Sequence, residues 1–71
     1  MTVQADLKKA IAAAETAKGT YATFAESTED QLAKAMYQQL AMDMDNHIQQ
    51  LNSRLNYLTE SNPMNQGQQQ Q

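Results

Sequence analysis

Apolar residues recur along the first part of the chain at alternating steps of four and three: Val3, Leu7, Ala10, Ala14, Ala17, Tyr21 and Phe24. That alternation follows one face of a helix and not the two-residue period of a strand. Ile11 and Ala25 widen the stripe. The rhythm lapses over Glu26-Ser27-Thr28-Glu29-Asp30-Gln31, then resumes at Ala33, Tyr37, Leu40, Met44, His47, Leu51 and Leu58, flanked by Met36, Ala41, Ile48 and Leu55. Two helices are predicted, over about residues 3–26 and 29–60, roughly 35 and 45 Å long at the helical rise per residue.

The punctuation agrees with this division. Gly19 is a weak breaker, and proline does not occur before Pro63. The Thr2 hydroxyl can cap the first helix, with Asp6 close to its positive end. Thr28 and Gln31 have capping-box spacing, which predicts the second start there. Pro63 disfavours helix at Asn62 and lacks a backbone donor, so the second helix should end just before it. Residues 61–71, rich in Gln and Asn, are predicted to form a disordered tail, because they offer too little apolar surface to offset ordering entropy.

A short link between long helices gives an antiparallel arrangement. The predicted fold class is therefore all-α, an antiparallel two-helix hairpin in one domain. A chain of 71 residues buries a modest share of its surface, and without cysteine it has no disulfide to staple it. The remaining staple is a second chain. Dimerisation into a four-helix bundle is predicted, with Leu7, Ile11, Ala14, Tyr21, Phe24, Tyr37, Leu40, Met44, His47, Ile48, Leu51, Leu55 and Leu58 forming the core and oligomer interface.

Composition narrows the function classes. Five Lys plus Arg against eight Asp plus Glu leave a formal charge of -3, and the bases are scattered. The basic face that nucleic acid binding requires is missing, so no nucleic acid partner is expected. No window approaches the roughly 20 apolar residues of a membrane span, so direct membrane insertion is not expected. The N-terminus lacks the basic start and apolar run of a secretory signal peptide, which with the absence of cysteine predicts an intracellular protein.

The sole histidine, His47, has Asp43 one turn before it. Asp43 could orient the imidazole while its other nitrogen bound a metal or moved a proton. The structural reading, in which His47 sits on the stripe between Met44 and Leu51 and donates to a helix across the bundle, is preferred: a metal site needs three or four ligands, and a dimer supplies only one further histidine. Glu26, Glu29 and Asp30 cluster at the turn, where helix starts attract acids anyway, and no calcium-loop motif is present. Ser27 and Thr28 read as caps, since no neighbouring histidine could activate a hydroxyl nucleophile. No catalytic, cofactor-binding or metal-binding residue is assigned, no cofactor is expected, and the chain is predicted not to be an enzyme.

Tyr21-Ala22-Thr23-Phe24-Ala25, then Ala33-Lys34-Ala35-Met36-Tyr37, Leu40-Ala41 and His47, resemble one half of a ferritin-like bundle of the rubrerythrin type. Such halves carry a metal-binding Glu on the first helix and a Glu-x-x-His on the second. Ala14 and Met44 occupy those positions here, leaving only the histidine, and Glu15 is rotated about 100° off register. The resemblance implies packing geometry and not di-iron chemistry. Over nearly its whole length, through Met1-Thr2-Val3-Gln4-Ala5-Asp6-Leu7-Lys8-Lys9-Ala10, Ala25-Glu26-Ser27-Thr28-Glu29-Asp30 and His47-Ile48-Gln49-Gln50-Leu51, the chain is similar to a small-protein family of endospore-forming bacteria, domain of unknown function 1657. That similarity implies a sporulation context, in the forespore or spore compartment, often beside genes for spore membrane channel proteins, and no established activity. The expectation is a self-associating structural or interaction protein of the spore. Its alternatives are a degenerate ferritin-like metal binder and an adaptor for a spore membrane protein.

Overall fold

The computed structural model describes residues 2–60, which form helix α1 over Val3–Ser27 and helix α2 over Gln31–Glu60. Met1 and the expected tail from residue 61 onward lie outside the described residues. Among the described residues there is no strand. At the start of α1 the Thr2 side chain accepts the Ala5 N–H at 3.0 Å, so the cap read from the sequence is formed.

The turn differs from the expected capping box. Thr28 is extended, at φ -76° and ψ 144°, and its N–H donates to the Phe24 carbonyl at 3.0 Å, so Thr28 ends α1. Its hydroxyl accepts the Asp30 N–H at 3.1 Å. The Asp30 carboxylate accepts the Leu32 N–H at 3.1 Å, and its carbonyl accepts the Lys34 N–H at 2.9 Å. Asp30 therefore caps α2, which starts at Gln31 and not near residue 29. A carboxylate is a stronger acceptor than a hydroxyl and favours the positive helix end, while Thr28 is already committed to closing α1.

Three cross-helix contacts set the antiparallel course. Ala25 meets Lys34, Phe24 meets Tyr37, and Lys18 meets Asp45, so numbers fall along one helix as they rise along the other. Packing between the helices is thin. Ala25, at 5% exposure, and Ile48, at 8%, are the buried hydrophobic residues, and among the described residues no side chain is fully buried.

Neither buried residue lies on the main stripe read from the sequence; each is one position beyond a stripe member, Phe24 or His47. The cause is register. The inner contact follows its own three-four alternation, Leu7, Ile11, Ala14, Lys18, Tyr21 and Ala25 on α1 and Tyr37, Ala41, Met44, Ile48, Leu51 and Leu55 on α2, each buried or half-buried. It shares Leu7, Ala14, Tyr21, Tyr37, Met44 and Leu51 with the stripe and runs through Ala25 and Ile48 where the stripe runs through Phe24 and His47. Phe24 is 46% exposed, and His47 is exposed as well.

Candidate functional site

The two flanks of the hairpin differ in chemistry. On one, the Lys18 ammonium and the Asp45 carboxylate form an ion pair at 2.7 Å. The side-chain hydrogen bond to Asp45, reinforced by its charge, raises the Lys18 pKa above the ordinary 10.5. On the same side Lys34 Nζ donates to the Ala25 carbonyl at 2.8 Å. That carbonyl lies in the last turn of α1, where the intrahelical donor four residues on falls outside the helix, and a cation there also suits the negative helix end.

The opposite flank is more apolar. On α2 it presents Met36 and His47, both exposed, beside the half-buried Leu40, Leu51 and Leu58. On α1 it presents Phe24 beside the half-buried Ala10 and Ala17. Phe24 and Tyr37 hold a tilted ring contact, 5.5 Å between centroids and 57° between planes, within the favourable range for aromatic pairs. That contact keeps the Phe24 ring on the flank.

The remaining sequence-derived positions fall as the helix faces dictate. Leu7, Ile11, Ala14 and Tyr21 on α1, and Tyr37, Met44 and Leu55 on α2, are half-buried along the inner contact. The histidine reading changes. Asp43 Oδ1 accepts the Gln39 side-chain amide at 3.0 Å, and no hydrogen bond joins His47 to Asp43 or to α1 among the described residues. The inner register passes through Ile48, so the imidazole is exposed on the flank and does not reach across the hairpin.

Other chemistry is sparse among the described residues. No group of three or more His, Asp or Glu side chains is placed to hold a metal ion. No helix is long and apolar enough to cross a membrane. A shallow open groove on α1 is lined by Thr16, Gly19, Thr20, Thr23 and Phe24. Its Thr16 and Thr20 hydroxyls donate to the carbonyls of Ala12 and Thr16, each at 3.1 Å.

Sequence reasoning missed the Asp30 cap, the Lys34 closure and the Lys18–Asp45 pair. The first was legible as an Asp directly before a helical run. The other two depend on the register between helices, which a three-residue loop fixes and the stripe pattern does not. Residues 7–55 match the family model described as "Protein of unknown function (DUF1657)". No curated protein and no solved structure matches the chain.

Proposed function

This chain belongs to the family of unknown function DUF1657, matched over residues 7–55, and from that premise we propose that it is a non-enzymatic structural or interaction protein that works by self-association. One observation carries the reading. The hairpin has no fully buried side chain among the described residues, and its apolar flank leaves Phe24 at 46% and Met36 at 52% exposure. Closing that flank with a second hairpin converts half-buried leucines into a core, which is how two-helix units complete a four-helix bundle. The sporulation setting, in the forespore or spore, belongs to the same proposal and rests on the similarity to endospore proteins set out from the sequence.

The absence of a role for metal in this reading is supported by Ala14 and Met44, which stand where a ferritin-like half carries glutamates. A second reading, an adaptor for a spore membrane protein, is favoured by the loop end, where Leu32 is 83% exposed beside Met36. Sedimentation equilibrium of the full chain at micromolar concentration tests the first reading and should give at least a dimer. A stable, folded monomer would sink it. Co-purification with spore membranes that survives loss of self-association would favour the adaptor instead.

A further inference from the structure

Both helices carry a near-palindrome. Along α1, Val3 and Phe24, and Ala10 and Ala17, lie on either side of Ala14 at distances that match to within a residue. Along α2, Leu40 and Leu58, and Asp43 and Arg54, lie at matching distances on either side of Gln49, to within a residue. Apolar thus answers apolar, and one acid answers one base. The heights of the two centres are fixed independently by the ion pair. Lys18 is level with Asp45, and four residues further from the loop on each helix, Ala14 comes level with Gln49.

Two centres of symmetry at one height are what a two-fold axis running over the open flank, at right angles to both helices, requires. A two-fold parallel to the helices requires no such palindrome. We propose that the occupant of the open flank is a second copy of this chain, its loop at the opposite end, docked about a two-fold at the level of Ala14 and Gln49. The proposal rests on the self-association reading above and specifies its geometry.

In this arrangement α2 lies against the partner's α2, and α1 against the partner's α1. Asp43 faces the partner's Arg54, and the symmetry makes that pair twice. Such charge matching is the kind of feature that selects orientation and register in an isologous interface. Existing contacts hold both groups on the flank: Gln39 engages Asp43 Oδ1 at 3.0 Å, and the Arg54 guanidinium lies 5.2 Å from the centre of the Tyr57 ring. Val3, 61% exposed, and Phe24, 46% exposed, cover one another across the axis. The alanines between them let the two α1 backbones approach closely.

The test is a charge exchange read by sedimentation of the full chain. D43R and R54D should each self-associate on the order of ten-fold more weakly than the wild type, since each sets like charges together twice. Mixing the two variants should restore wild-type affinity, because the mixed pair sets two bases on one chain against two acids on the other. Circular dichroism on each variant, alone and mixed, shows whether folding follows the same pattern. A second measurement uses the absence of cysteine: oxidising L40C together with L58C should give the mixed disulfide dimer in preference to either homodimer. A wild type that dimerises while the variants and their mixture behave identically overturns this geometry and leaves self-association standing. A wild-type monomer overturns both and gives the flank to a different partner.

Discussion

Lys34 Nζ lies 2.8 Å from the carbonyl oxygen of Ala25, so the first turn of α2 closes the last turn of α1. The contact links residues nine apart in sequence and crosses the loop, which makes the turn a single unit with the Asp30 cap. Lys34→Met keeps most of the aliphatic stem and removes the donor. A loss of about 1 kcal/mol is expected, from the orphaned carbonyl and the lost cation at the helix end. Urea denaturation reads it as a lower midpoint at unchanged slope. An unchanged midpoint would mean that water satisfies Ala25 equally well.

The cap itself separates two accounts of the turn. If Asp30 caps α2, Asp30→Ala should cost about 1 kcal/mol and Gln31→Ala almost nothing. Under the capping-box account Gln31 would matter as the reciprocal partner of Thr28, and its removal would cost comparably. Paired denaturation curves decide between them. The structure sides with Asp30, whose carboxylate takes the Leu32 N–H at 3.1 Å.

The sequence made some of this legible and some not, for physical reasons. The two helices, the hairpin and the Thr2 cap follow from local signals: periodicity, a lapse in it, and a hydroxyl at a helix start. The inward residues Ala25 and Ile48 were readable only as stripe-wideners, because two three-four registers share Leu7, Ala14 and Tyr21 on α1 and Tyr37, Met44 and Leu51 on α2, and periodicity alone does not choose between them. His47 shows the consequence. It sits on the stripe between Met44 and Leu51, yet the inner register passes through Ile48 and leaves it on the flank. The Lys18–Asp45 pair was not readable at all, since it depends on how a three-residue loop sets the heights of the helices, and that depends on the Thr28 and Asp30 hydrogen bonds together.

That ion pair carries a pH dependence with a definite sign. The Lys18 pKa is raised in the folded chain by its hydrogen bond to Asp45, so its contribution is fully present below the ordinary value of 10.5 and is lost as pH rises through the folded value. Asp45→Asn removes the partner. The variant should be slightly less stable than the wild type at neutral pH, and the gap should close at alkaline pH above 10.5. The gap should be small because both groups are substantially exposed, with side-chain exposures of 40% and 48%. Thermal unfolding across this range checks it. A gap that widens with pH would show that Asp45 acts by some other route.

Two leucines of α2 should respond very unequally to the same substitution. Leu51 is half-buried, and it lies at the edge between the inner contact and the open flank. Leu51→Asp places a carboxylate without a partner into surface that the hairpin partly covers and that a second copy would cover further. The expected cost is about 3 kcal/mol or more, a large fraction of what so small a domain has. Leu32, at 83% exposure, gives up little burial when replaced. It stands in the first turn of α2, where an acid interacts favourably with the positive helix end, opposed here by the neighbouring Asp30 carboxylate. Leu32→Asp should therefore change stability by no more than about 0.5 kcal/mol in either direction. Circular dichroism during urea titration measures both variants, and sedimentation shows whether each still self-associates. Equal losses would mean that the loop end is covered, and that Leu32 belongs to an interface at the tip of the hairpin.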